Sequence, residues 1–139
     1  SKLLAFLAYG TAEFLAKLHA IDPAEVPFLE PYVESGDPVE AFRRYFDLYR
    51  EAHPALEVGL RWLERHRPPP RRRAFLHADL RTGNFLVGPD GLTAVLDWEC
   101  CHIGPPAEDI GWLTTRSWRF GNIDLPVGGF GRREDLMAV

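Results

Sequence analysis

The run His77-Ala78-Asp79-Leu80-Arg81-Thr82-Gly83-Asn84 fits the pattern H-x-D-x-x-x-x-N, and twelve residues separate Asn84 from Asp97 at the end of an apolar stretch. These residue types suit the transfer of a phosphoryl group to a hydroxyl. That reaction needs a hydroxyl held in line and a divalent cation to neutralise phosphate charge. Asp79, on a loop, has the chemistry to accept the hydroxyl proton, and a positioned group of this kind contributes ~10²–10⁴-fold in rate. Asp97 offers a charged oxygen and Asn84 a neutral one, the hard donors that Mg²⁺ prefers while keeping several waters. His77 is assigned to the catalytic loop, hydrogen-bonding its backbone and fixing its shape. Arg81 reads equally as an exposed salt-bridging residue and as a contact to the transferred phosphate, since a guanidinium matches phosphate oxygens.

A hairpin must bring these groups together. Ala74-Phe75-Leu76, Phe85-Leu86-Val87 and Thr93-Ala94-Val95-Leu96 read as short strands, the last two joined by Gly88-Pro89-Asp90-Gly91. Pro89 fixes a negative φ and excludes a type I′ turn, which predicts a type I turn with Gly91 left-handed. Folding the ribbon back sets Asn84 and Asp97 at its open end. A one-residue register choice decides their faces, and either register leaves them close enough to share a cation or its water shell.

Helices are expected on either side. Residues 2–19 carry Leu3, Leu7, Phe14, Leu15 and Leu18 near helical spacing. Residues 21–37 read as a surface loop. Asp37-Pro38 is an N-cap followed by proline at the first helical position, and the helix runs through Phe42, Tyr45, Phe46 and Tyr49, aromatics that read as core. Pro54 opens another helix, through Leu56, Leu60 and Leu63 to about His66. Pro68 to Arg73 is a stiff connector whose arginines read as a solvated turn. A helix from Pro105 or Pro106 to about Arg116 carries Glu108 and Asp109 in its first turn, where negative charge suits the dipole. Residues 117–131 are Gly-rich and irregular. His19 and His66 read as surface or helix-end histidines, His102 as a loop hydrogen-bonding residue.

Composition narrows the partners. The 139 residues are 46% hydrophobic and 26% charged with a net charge of -4, ordinary for a globular domain and without a nucleic-acid surface. No apolar run is long enough to span a bilayer, and the start lacks a signal-peptide pattern. Cys100 and Cys101 are adjacent, a poor arrangement for a structural disulfide, and read as small buried packers in a reducing, cytoplasmic setting. Lys2 and Lys17 are the only lysines, both in a helical segment, and no strand–Gly-loop–strand pattern or G-x-x-x-x-G-K-[ST] is present. Both ends of the chain read as cut from something longer.

The order and spacing of these motifs resemble the kinase-like family of aminoglycoside phosphotransferases, choline and homoserine kinases and protein kinases. Leu96-Asp97-Trp98-Glu99 resembles the family's D-[FW]-E, which stands where protein kinases have D-F-G. Gly104-Pro105-Pro106-Ala107-Glu108-Asp109-Ile110-Gly111 resembles G-D-P-x-x-D-[LI]-A, and Leu15-Ala16-Lys17-Leu18-His19-Ala20-Ile21-Asp22 resembles LAxLHxID. The match spans about residues 10–116 and is nearest the branch related to domains fused to acyl-CoA dehydrogenases. The resemblance implies Asp79 as catalytic base, Asn84 and Asp97 as Mg²⁺ ligands, Glu99 as a second acid near the metal and Asp109 as a brace for the catalytic loop. Two positions depart from the family: Ala78 stands for its usual Gly, and Pro105 for an Asp.

The expected fold is α+β and mainly helical, the C-terminal lobe of a kinase-like phosphotransferase with a small β-hairpin carrying the site. Residues 1–67 form a helical subregion, 74–116 the catalytic loop, metal hairpin and following helix, and 117–139 a truncated tail. The implied cofactors are Mg²⁺ and ATP or another nucleoside triphosphate. The implied partners are a small-molecule hydroxyl acceptor and an N-terminal lobe of the same protein, without which the chain is expected to be inactive. Trp112, Arg116, Trp118, Arg119 and Phe120 read equally as acceptor-facing and as packing residues; the two arginines weigh against a polycationic acceptor. Two rivals remain: a degenerate, non-catalytic binding module, and a metal-dependent phosphohydrolase using His77, Asp79 and Asp97.

Overall fold

Apolar residues repeating at helical spacing build the longest element, α1 (Lys2–Ala20), in the computed structural model, which describes residues 2–29, 37–69 and 72–138. Leu7, Ala8, Ala12 and Leu15 form its buried stripe and join one core cluster with Leu80, Phe85 and Val95. The stripe ends at His19, which is buried rather than at the surface as the sequence suggests. A 3₁₀ turn, Pro23–Glu25, follows, capped by Asp22. Residues 30–36, the rest of the expected loop, and residues 70 and 71 of the connector lie outside the described residues.

Asp37 caps α2 (Pro38–Tyr49), its Oδ1 accepting from Val39 N at 2.8 Å. Pro54 opens α3 (Pro54–Arg65). The two helices pack on each other, clasped by Arg43, which donates from Nη1 to Glu57 (2.7 Å) and from Nε to Glu64 (2.9 Å). The aromatics expected in the core are not there. Phe42, Tyr45 and Tyr49 are exposed, because the pair turns one apolar face to open space instead of to the α1 core. The connector also differs from the solvated turn expected: Arg72 donates to His19 O, and Arg73 to Ile103 O at 3.4 Å.

Two small sheets carry the rest. β1 (Ala74–Leu76) pairs antiparallel with β4 (His102–Gly104), a strand too short to read from sequence. β2 (Phe85–Gly88) and β3 (Gly91–Val95) form the hairpin, with a register shift at Leu86/Val87 that leaves Thr93 unpaired. Gly91 takes φ +109°, and a Cβ there would stand 3.1 Å from Phe6 O, so glycine lets α1 lie against the turn. Leu86, Val87 and Leu96 remain exposed on this ribbon. α4 (Ala107–Thr114) is shorter than predicted and yields to a 3₁₀ turn, Arg116–Arg119. A one-turn helix, α5 (Arg133–Leu136), packs back on α1.

Candidate active site

The loop between β1 and β2 is fastened from both sides. Leu76 and Leu80 bracket it and are fully buried, an anchor of about 1.5–3 kcal/mol for each such side chain. From the other side comes Asp109, in the first turn of α4 and with no exposed surface. Its Oδ1 accepts from Ala78 N (2.7 Å), and its Oδ2 accepts from His77 N (3.1 Å) and from His19 Nε2 (2.9 Å). One carboxylate thus ties α1, the loop and α4 together. Ala78 sits at φ +64°, the left-handed region that glycine enters without cost, so its replacement of the family's glycine carries backbone strain.

Held this way, Asp79 presents a carboxylate on which three donors converge. Trp112 Nε1 donates to Oδ1 at 2.8 Å and Asn84 Nδ2 to Oδ2 at 2.8 Å. Arg81 Nε lies 3.3 and 3.2 Å from the two oxygens, a salt bridge with both side chains only partly exposed. Asn84 Nδ2 also donates to Asp79 O at 2.9 Å. Partial burial pushes the carboxyl upward; the bonds from Trp112 and Asn84, with the charge and bond of Arg81, outweigh it and hold Asp79 below its usual range. The Arg81 guanidinium lies over the Trp118 ring, 5.2 Å from its centroid. It also fills the space a side chain at Gly83 would need, so glycine there admits the guanidinium.

His77 is fully buried and uses both ring nitrogens. Nε2 donates to Leu96 O (2.9 Å), and Nδ1 accepts from Asp79 N (3.2 Å). Leu96 in turn donates its N–H to Asn84 O at 2.8 Å. Leu96 is therefore pinned on both sides, which sets the register at the ribbon's open end and places Asp97 one residue beyond the partner of Asn84. Asp97 is exposed and takes φ +67°, a conformation aspartate tolerates better than most residues. Trp98 stacks edge-on against His77, centroids 4.7 Å apart, and its Nε1 donates to Val95 O. Glu99 is exposed two residues further on.

The fit of this end of the ribbon to a hard cation rests on its donors. The Asn84 amide nitrogen is engaged twice by Asp79, leaving the amide oxygen as the donor toward a cation, and Asp97 is exposed one residue after Leu96, whose N–H meets Asn84 O. An amide oxygen, a carboxylate and room for water suit Mg²⁺. Among the described residues, no three His, Cys, Asp or Glu side chains group as a metal site.

Beyond Asp79 lies an aromatic shelf. The Trp112 and Trp118 centroids are 5.3 Å apart, and those of Trp118 and Phe120 are 6.3 Å apart. Arg119 folds back onto its own loop, donating to Thr114 O and Ile123 O, so its charge does not face an acceptor. On the other side of the loop a pocket of about 200 Å³ separates α2 from the β4–α4 segment. Ala78, Cys100, His102 and Glu108 form its inner wall. His102 Nδ1 donates to Cys100 O (2.9 Å), and its Nε2 lies 3.4 Å from Glu108, which raises the imidazole's pKa against the effect of burial. The two cysteines are free and half-exposed rather than buried, because the chain turns outward between Trp98 and β4. Burial, then Glu99, Asp79 and Asp97, push the Cys100 thiol upward.

Two members of this arrangement escaped sequence reasoning. His19 reads as a helix-end histidine, although its spacing of four from Leu15 continues the buried stripe of α1. Trp112 reads as an acceptor or packing residue; its position three after Asp109 puts it on the helix turn that meets Asp79, a signal visible only once the loop is known to sit there.

Comparison with known proteins places the chain in a family. The model of the phosphotransferase enzyme family (APH) matches residues 6–138. Acyl-CoA dehydrogenase family member 10 of Mus musculus is 29% identical over 107 residues, covering 72% of this chain and 10% of that protein. Acyl-CoA dehydrogenase family member 11 of Gallus gallus is 30% identical over 114 residues, covering 76% of the chain and 14% of that protein. Macrolide 2′-phosphotransferase MphH from Brachybacterium faecium superposes with a TM-score of 0.63 at 25% identity, over 99% of this chain and 44% of that one. The streptomycin–ATP–APH(2″)-IIa complex gives a TM-score of 0.56 at 20% identity, over 82% of this chain and 42% of that one. The chain thus spans a small part of the curated relatives and under half of the solved ones.

Proposed function

Because the chain belongs to the phosphotransferase enzyme family, we propose that it transfers a phosphoryl group from ATP to a hydroxyl of a small molecule. The observation that carries this reading is the Asp79 carboxylate, held by Trp112, Asn84 and Arg81 beside the open end of the ribbon that bears Asp97. Asp79 orients the acceptor hydroxyl and takes its proton. Asn84 and Asp97 would hold Mg²⁺, with Glu99 near it; when bound, the ion neutralises charge on the triphosphate. Arg81 moves from Asp79 to the transferred phosphate, a better match for a guanidinium. His77 and Asp109 position the loop and touch no substrate.

On this reading the chain supplies the C-terminal lobe and its hairpin the site. The rest of the nucleotide cleft comes from residues outside these 139, in the same protein. Supporting this are the share of the solved relatives that the chain covers and the exposed Leu86, Val87 and Leu96 on the ribbon, which suit a covered surface. Two free cysteines fit a reducing compartment such as the cytoplasm, and no helix among the described residues is long and apolar enough to cross a membrane. The phosphohydrolase alternative needs His77 as a ligand, and both of its nitrogens are already engaged.

The test is ATP consumption by the full-length protein against sugars, aminoglycosides, choline-like alcohols and hydroxyacyl compounds, with Asp79→Asn alongside. Turnover with at least one acceptor is expected, falling ~10²–10⁴-fold in the variant while its circular dichroism stays unchanged. Full activity in the variant would remove Asp79 as the base.

A further inference from the structure

The Asp79 carboxylate is saturated with donors. Its two oxygens offer about four lone-pair sites. Trp112 Nε1 takes one on Oδ1 and Asn84 Nδ2 one on Oδ2, each at 2.8 Å. Arg81 Nε lies astride the pair, 3.3 Å from Oδ1 and 3.2 Å from Oδ2. An acceptor hydroxyl has to reach one of these oxygens to give up its proton, so one donor must leave first.

The three donors differ in what holds them. Asn84 is buried and fixed by its second bond, to Asp79 O at 2.9 Å. Trp112 is carried by α4 and packs against Trp118, ring centroids 5.3 Å apart. Arg81 makes the longest contacts, beyond the about 2.7–2.9 Å of a well-made charge-assisted bond. It reaches Asp79 through Nε alone; among the described residues, Nη1 and Nη2 have no hydrogen-bond acceptor, and the side chain is partly exposed. The guanidinium is thus held by one edge while the fork that meets an oxyanion with two bonds stays open. Its seat is built by two neighbours: the Trp118 ring lies under it, 5.2 Å from centroid to Cζ, and Gly83 leaves the room that Nη1 occupies.

Resting on the phosphotransferase reading, we infer that Arg81 is a latch on the base: it closes both oxygens of Asp79 until an oxyanion of the phosphoryl donor draws the guanidinium away. Asp79 and the donor compete for one cation. The phosphate wins because it carries more charge and answers the open fork with two oxygens, whereas Asp79 is met by Nε only. Asp79 then opens to the acceptor hydroxyl once the donor is in place, so the donor binds before the acceptor.

Coupling between binding events is reciprocal: if the donor's phosphates break the Arg81–Asp79 contact, that contact must weaken the binding of phosphates. The experiment is calorimetric titration of the full-length protein with tripolyphosphate, in the presence of a chelator and at constant ionic strength. Asp79→Asn removes the competing carboxylate. Gly83→Ala crowds Nη1 and leaves every charge in place. Each should tighten tripolyphosphate about two- to fivefold, the range for a partly exposed ion pair, and neither should do so in an Arg81→Met background. Tightening in neither variant overturns the latch. So does tightening of the same size in the Arg81→Met background, which would be an effect of charge or fold and not of release. Absence of tripolyphosphate binding in all of these proteins overturns it too. The parent reading is judged separately, by turnover: tightening that depends on Arg81, with no phosphoryl transfer to any acceptor, supports the latch and counts against the phosphotransferase, whereas transfer that falls in Asp79→Asn, with no tightening, does the reverse.

Discussion

At the scale of single residues, the site is governed by how many donors one carboxylate can collect. Burial alone would raise Asp79; Trp112, Asn84 and Arg81 reverse that. Its pKa is depressed on folding, so the stability these contacts add is present above the unfolded carboxyl's pKa and lost as pH falls through the folded one. Removing Trp112's N–H takes away one downward influence. With Asp79 as the proposed base, Trp112→Phe should therefore shift the acid limb of the kcat/KM profile to higher pH, and an unmoved limb would detach Trp112 from that group. Ala78 is a second local matter. An L-residue at φ +64° costs about 1–2 kcal/mol, partly offset by glycine's greater unfolded-state entropy. Ala78→Gly should raise stability by about 0.5–1 kcal/mol in urea unfolding, with the m-value unchanged.

At the scale of elements, the decisive contact is the three-way one at Asp109. The buried N–H of His77, the part-buried N–H of Ala78 and His19 depend on it, and a buried N–H left without an acceptor costs about 1–3 kcal/mol. Asp109→Ala should lose at least about 2 kcal/mol by denaturant titration and most of the activity with it. His19→Phe, which spares both backbone bonds, should lose less. Equal losses would mean that the helix-to-helix tie, and not the loop, is what Asp109 maintains. The helices were largely legible in the sequence: Asp37-Pro38 and Pro54 mark starts that local chemistry enforces, through an oxygen cap and a fixed φ. β4 was not, because three residues carry no periodicity and exist as a strand only through their pairing with β1. The aromatics of α2 misled for a related reason. Helical spacing shows that Phe42, Tyr45 and Tyr49 share a face, but not whether anything packs against it.

For the molecule as a whole, the family match over residues 6–138 and the superposition on MphH fix the kinase-like architecture, helices outweighing two small sheets. If the rest of the nucleotide cleft lies outside these residues, the 139-residue chain alone should show no ATP turnover above the Asp79→Asn background. Measurable turnover by the chain alone would end the divided-cleft proposal while leaving the site assignment in place.

The sequence by itself determined the candidate set and its order: a loop joins Asp79 to Asn84, and the hairpin returns the chain to Asn84 at Leu96, one residue before Asp97, because strand pairing is short-range and local. Tertiary structure alone decided what surrounds them. Asp109 reaches the loop across 31 residues, His19 reaches Asp109 across 90, and Trp112 reaches Asp79 across 33. Contacts of that separation depend on how whole elements pack, and no window of sequence carries that information.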